Sequence, residues 1–217
     1  MPKWFSEIEK ETIRQKLIDQ GYRQFSQFGF KKTNVDEIAK AAGISKGAFY
    51  RFYESKEMLF MDVIEQVEQK GRVEIMTVIE ETGPSPRARL YTILKKAFDL
   101  FGELPILHFF TSSDFDMIAT GVPAQKFQEH IASDQGFFDE LFSRCQKAGI
   151  PIKVTSTEMV NLLYPLVIAF LMKNKLDGKG FGSNIDSHLE LIAAYCLGEV
   201  TLQFTTPESV FEEKKKG

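Results

Sequence analysis

Cysteine is scarce in this chain: Cys145 and Cys196 are the two among 217 residues. They lie far apart, form no Cys-x-x-Cys pair and sit inside apolar helical patterns, which excludes a disulfide scaffold or thiolate zinc centre and predicts two core thiols. Long apolar runs are missing too. The longest strongly apolar stretch, Met159 to Met172, is broken by Asn161 and Pro165 and falls short of the ~18–20 residues that span a bilayer. It reads as a buried helix, and no membrane partner is expected. The opening MPKWFSEIEKE has neither the apolar core nor the small-residue cleavage site of a secretory signal, so a cytoplasmic location is expected. Catalytic signatures are equally sparse. His108, His130 and His188 are widely spaced, no H-E-x-x-H or Cys-plus-His pattern occurs, and no Gly-rich phosphate loop is present. An enzyme is not expected, nor are a cofactor or a metal. A general basic excess is lacking as well, since the net charge is −3 with 26% charged residues, so any nucleic-acid surface must be local.

What is present is a 43% hydrophobic content arranged at 3.6-residue spacing almost throughout, with no sustained two-residue alternation. The expected fold is all-α. A first helix from about Glu7 to Phe28 places Ile13, Leu17, Ile18, Tyr22, Phe25 and Phe28 on an inward stripe and ends at Gly29. Gly21, unfavourable inside a helix, is expected to let another helix approach. Thr33-x-x-Asp36 resembles a capping box opening a short second helix that ends at Gly43. Ser45 is placed to cap a third helix through Phe52, and Ser55 a long fourth from Lys56 to about Glu81. After Gly83-Pro84-Ser85-Pro86, helices are expected to about Phe101, around Pro105–Ala119 and over Pro123–Ala148. Thr155-x-x-Glu158 opens one to about Lys175, with Pro165 inside it, and a last helix is expected from Ile185 to Gln203 beyond the loop of Gly178, Gly180 and Gly182.

Residues 34–53 therefore contain two short helices joined by Gly43-Ile44-Ser45, the length and turn chemistry of a helix-turn-helix. Charge agrees. From Arg23 to Lys56 seven basic residues face three acidic ones, a surplus of four, so the remainder of the chain carries −7. A small basic platform on an acidic protein suits phosphate binding by counterion release.

Gly29-Phe30 followed by TNVDEIAKAAGISKGAFYRFYESKE, Thr33 to Glu57, resembles the N-terminal domain of the TetR/AcrR regulators, written T-x-x-x-I-A-x-x-A-G-V-S-x-G-T-L-Y-x-x-F-x-S-K-E. The resemblance covers about a quarter of the chain. It implies a DNA-binding domain over residues 7–55, then an effector-binding and dimerisation domain over 56–205, with 56–81 as the connecting helix. The function it implies is a ligand-responsive repressor that binds a pseudo-palindromic operator on double-stranded DNA as a homodimer and is released by a small, largely hydrophobic effector. By position, Thr33 and Asn34 would contact phosphate, Lys46, Gly47 and Ala48 would lie against base edges or sugars, and Tyr50 and Lys56 would clamp phosphates. Phe49 takes the usual Leu position in the core, and Ala48 replaces a common Thr, which favours apolar contact such as a thymine methyl.

Twenty Phe stand against one Trp and six Tyr, and nine of the twenty fall between Leu90 and Phe142. They fit either a Phe-rich core or an apolar effector pocket. A pocket would be lined by some of the rings of Phe98, Phe101, Phe109, Phe110, Phe115, Phe127, Phe137, Phe138 and Phe142. Met117, Tyr164 and Met172 are possible additions, with His108, Asp114, Asp116 and Glu103 the nearest polar groups. Acids beside aromatics would suit a lipophilic cation. The last helix carries apolar residues on a second side, Leu191, Ala194, Tyr195, Gly198 and Leu202, more than its own core needs. With the family resemblance, this predicts an antiparallel four-helix bundle between two subunits, in which Ala194 and Gly198 permit close approach.

Overall fold

The structure, a computed structural model, describes residues 6–80, 83–102, 104–107, 112, 114–172 and 184–201; the side chains of Phe101, Gly102 and Met172 lie outside that description. His108, Phe109, Phe110, Glu103, Leu202 and the 178–182 glycine loop also fall outside it. Helices α1 (Glu7–Phe28), α2 (Val35–Ala41), α3 (Lys46–Phe49) and the first half of α4 (Lys56–Val78) make an N-terminal head. The second half of α4 joins α5 (Pro86–Gly102), α6 (Asp114–Gly121), α7 (Ala124–Lys147), α8 (Ser156–Met172) and α9 (Ile185–Cys196) in a helical body. No strand occurs among the described residues.

Local chemistry explains most boundaries. Ser6 and Glu9 form a reciprocal capping box at the start of α1, and Gly29, at φ 79°, ends it. Ser45, Ser55 and Ser85 accept from the backbone N–H groups of Ala48, Met58 and Ala88, and Thr155 and Glu158 close their box at the mouth of α8. Gly21 behaves as expected: a Cβ there would meet Val63 Cγ2 at 3.1 Å and Leu59 Cδ2 at 3.3 Å, so α1 and α4 cross closely at that point.

Three expectations are corrected. The cap of α2 is Asn34, whose side chain accepts from the Asp36 N–H, whereas the Thr33 hydroxyl donates backwards to Gly29 O at 2.7 Å and Gln24 O at 3.2 Å. Phe28 is exposed, because the α1 stripe turns outward in its last turn. Helix α9 stops at Cys196 instead of Gln203: Gly198, at φ 70°, donates to Tyr195 O while the Glu199 N–H donates to Ala194 O, a glycine-terminated helix end.

Two apolar clusters hold the molecule. One joins α1–α3 to Leu59, Phe60, Val63 and Ile64 of α4 and also takes in Ile106, Leu107, Ile118, Val122 and Leu171 of the body. The second packs Ile75, Val78 and Ile79 against α5, α7, α8 and α9. Helix α4, 23 residues and about 34 Å long at 1.5 Å per residue, contributes to both. Arg89 ties the ends of two helices by donating to Ile79 O at 2.9 Å and Ala148 O at 2.6 Å. Cys145 and Cys196 are fully buried, and burial pushes their thiols up to about 11 and about 12.

Candidate nucleic-acid interface and effector cavity

Gly43 adopts φ 81°, a left-handed conformation that costs glycine little, and the Ile44 N–H then donates to Ala39 O at 2.9 Å, turning the chain between α2 and α3. Phe49 is wholly buried beneath α3, edge-on to Tyr50 at 5.3 Å and against Tyr53 at 5.8 Å. Burying this ring directs its neighbours outward: Lys46, Gly47 and Tyr50 are exposed and Ala48 is half-exposed. Lys46 forms a 3.3 Å ion pair with Asp36 between two exposed side chains, a weak attachment that a phosphate can replace. Arg23, Lys31, Lys32, Lys40 and Arg51 are also exposed, so six of the window's seven cations lie on the surface of the head.

The seventh does not. Lys56 donates to Phe30 O at 2.8 Å and Thr33 O at 3.0 Å, with its ammonium 4.2 Å from the Phe30 ring centroid. Burial lowers its pKa, while Glu57 and Asp114 act in the opposite sense. Lys56 therefore binds the turn between α1 and α2, leaving it poorly disposed as a phosphate clamp. Thr33 is only 4% exposed with its hydroxyl committed inward, so it too shapes the turn. Asn34 is exposed, with its side-chain oxygen spent on the α2 cap.

The body touches this turn directly. Asp114, the first residue of α6, accepts from the Lys31 N–H at 3.3 Å. At the other end of α6, a Cβ on Gly121 would stand 2.6 Å from Glu57 Cγ, at the start of α4.

Within the body, α4, α5, α7 and α8 enclose a cavity of about 210 Å³. Phe98, Phe137, Phe138 and Tyr164 of the expected residues line it, together with the unforeseen Met159 and Leu163. The remaining expectations are corrected where the structure describes them. Phe142 is packed in the second apolar cluster, Met117 and Phe127 are exposed, and Phe115 lies on α6, away from the cavity wall. Asp114 faces the head. The polar groups of the cavity are Glu68, His130 and Asp134, which sequence reasoning missed. Glu68 is on α4 and the other two, four residues apart, are on α7; the i,i+4 spacing of His130 and Asp134 was the available signal. Burial raises the Glu68 pKa to about 8, with Asp134 and Glu65 adding to the shift and Arg72 opposing it. Asp134 is raised by burial and lowered by His130 and Arg72.

On α9, Leu191 is 52% exposed, but Ala194 is 4% exposed and packed within the chain. Gly198 ends the helix, and a Cβ there would meet Lys153 Cδ at 2.8 Å. The expected close approach through Ala194 and Gly198 is thus corrected: both serve the fold of this chain. Tyr195 is half-buried.

A short helix presented by a glycine turn on an exposed basic head, carried by a helical body with its own cavity, defines a helix-turn-helix head on a helical body. Residues 17–63 match the family model "Bacterial regulatory proteins, tetR family". The chain is 40% identical over 68 residues to the HTH-type transcriptional regulator AcrR of Shigella flexneri, covering 31% of this chain and 32% of that one. It is 25% identical over 180 residues to the probable acrEF/envCD operon repressor of Escherichia coli K12, 79% of each chain. Several curated relatives are matched over 26% to 64% of their own length. Its fold resembles the transcriptional regulator FadR of Bacillus subtilis solved with stearoyl-CoA, with TM-score 0.57 and 18% identity over 83% of this chain and 97% of that one. Residues 17–63 thus form a TetR-type N-terminal domain. No helix among the described residues is long and apolar enough to cross a membrane.

Proposed function

We propose that the protein is a DNA-binding transcriptional repressor of the TetR type, a homodimer that reads a pseudo-palindromic operator and is released by a small apolar effector. The observation that carries this reading is α3: Lys46, Gly47, Ala48 and Tyr50 stand on its outer side, held there by the buried Phe49, amid six exposed cations. Lys46 and Tyr50 supply phosphate contacts, Gly47 and Ala48 approach base edges, and Asn34 adds a polar group at the start of α2. Thr33 and Lys56 hold the turn that positions these elements. The head, residues 7–55, works with the first half of α4; residues 56–205 bind effector and dimerise.

Two features of the body support its share of the reading. An apolar groove between α8 and α9, lined by Leu162, Pro165, Leu166, Phe170, Ile185 and Leu191, is flanked by Tyr164 at 55% exposure. A second copy of the chain covers such a face in a four-helix bundle. The cavity adjoins α4, and α6 contacts the α1–α2 turn, so a ligand that prefers one body arrangement shifts the spacing of the two heads. The experiment is selection of fragmented genomic DNA on the purified protein, followed by fluorescence anisotropy on the recovered sites with effector candidates titrated in. Recovery of one palindromic site supports the reading; recovery of fragments without sequence preference overturns it.

A further inference from the structure

The end of the cavity between α4 and α7 has a composition that the repressor reading does not use. Glu68, His130 and Asp134 each offer one donor atom, all within 4.8 Å of one another. The imidazole stands between the carboxylates, with Nδ1 3.7 Å from Glu68 Oε2 and Nε2 3.8 Å from Asp134 Oδ2. Those separations exceed hydrogen bonds. With the imidazole contributing a single nitrogen, one donor atom from each residue still lies within 4.8 Å of the others, close to the roughly 3–4 Å between neighbouring ligand atoms that metal bonds of about 2.0–2.2 Å produce.

The same atoms are short of partners. Glu68 Oε2 and His130 Nδ1 are buried without a hydrogen bond among the described residues, a costly state for polar atoms. Charge is short as well. Four carboxyl groups, Asp62, Glu65, Glu68 and Asp134, face two cations, Lys126 and Arg72, a surplus of acidic groups that a divalent ion offsets. Arg72 binds Asp134 Oδ1, and it also donates to Ser133 Oγ at 2.9 Å. That arrangement orients Asp134 Oδ2 toward the imidazole, as an outer-shell partner does for a metal ligand.

We infer that Glu68, His130 and Asp134 form a site for a first-row divalent transition ion at the edge of the effector cavity. One imidazole and two carboxylates favour Ni²⁺, Zn²⁺, Co²⁺ or Mn²⁺ over Mg²⁺, which prefers oxygen ligands and keeps its waters. Three protein donors leave a coordination position open, and all three residues line the cavity, so that position borders the effector's space.

The test is calorimetric titration of untagged, chelator-stripped, full-length protein with NiCl₂, ZnCl₂, MnCl₂ and MgCl₂, with CoCl₂ added for its visible spectrum. The expected result is one Ni²⁺ or Zn²⁺ per chain, weaker Mn²⁺, no Mg²⁺ uptake at millimolar concentration, and a cobalt spectrum of bound nitrogen and oxygen ligands. Glu68→Gln and His130→Ala each weaken uptake at least tenfold. Glu68→Gln removes a buried charge while keeping its shape, and melting of the stripped variant verifies its fold. Absence of saturable uptake at 100 µM metal overturns the inference. So does uptake unchanged in both variants, or a rise in melting temperature with dodecyltrimethylammonium but none with any metal. The titration contains no DNA, so its failure leaves the repressor reading intact, and loss of operator binding leaves the metal site intact.

Discussion

The head and the body solve different problems with the same secondary structure. In the head, several positions from Asn34 to Lys56 have a geometric task that few residue types perform: Asn34 caps, Gly43 turns, Ser45 caps again, Phe49 anchors and Lys56 ties the turn. In the body, many apolar residues satisfy a helix face equally well, and the cavity arises from how four helices fail to fill the space between them. A specific short motif thus encodes the head, whereas the body's chemistry depends on tertiary placement.

The contrast is broken most severely at Phe49. Truncating this fully buried ring in Phe49→Ala should cost about 3–5 kcal/mol and abolish DNA binding. Phe127→Ala, at an exposed ring of the body, should cost under about 0.5 kcal/mol. Paired thermal melts read both, and equal losses would show that the head is no more tightly specified than the body.

The body's own vulnerability lies at Glu68. Its folded pKa, about 8, exceeds the ordinary value near 4.5, so the folded state holds the proton more tightly. Stability should fall as pH rises between those values and stay reduced above them. Asp134 and Glu65 strengthen the effect, Arg72 opposes it, and His130 faces the same carboxylate. In chelator, Glu68→Gln should gain on the order of 1–3 kcal/mol over wild type at pH 8.5 and little at pH 5. Chemical denaturation at the two pH values measures it; equal gains at both would contradict the buried-carboxylate account.

Lys56→Ala removes the ammonium from Thr33 O and from Phe30 O, which keeps the Thr33 N–H as donor, and should cost about 1–3 kcal/mol of head stability. Tyr50→Phe should leave stability within about 0.5 kcal/mol while weakening operator binding evenly across sites. If Lys56→Ala melts like wild type and simply lowers the salt slope by about one, Lys56 is a phosphate ligand after all. The smallest effect on folding is expected at the surface: Leu191→Glu should leave the chain's fold intact yet produce monomers by light scattering. A persistent dimer would move the interface off the α8–α9 face.

How much of this was readable from sequence follows the same division. The caps at Ser45, Ser55, Ser85 and Thr155, the turn at Gly43 and the close crossing at Gly21 all rest on interactions within a few residues or on a missing Cβ, and periodicity plus residue type revealed them. The bonds that Thr33 makes to Gly29 O and Gln24 O and that Lys56 makes to Phe30 O were not legible, because they close a turn between elements and no short-range pattern marks them. Gly198 was taken for a helix-packing residue because no local pattern separates a glycine inside a helix from one ending it. In the cavity, Phe98, Phe137 and Phe138 were found by aromatic density alone, and Tyr164 was added to them singly. Density failed at the exposed Phe127 and gave no reason to join Glu68 with His130 and Asp134, 62 and 66 positions further on.

The central claim, that α3 reads duplex DNA in a dimer, is tested most directly by footprinting on the selected genomic fragments. Protection should fall on two half-sites about one helical turn apart, roughly 34–36 Å between centres. Binding should weaken steeply with added salt, and an Ala48→Thr variant should prefer different bases within each half-site. Protection without half-site symmetry, or base preferences unchanged by Ala48→Thr, would contradict the account.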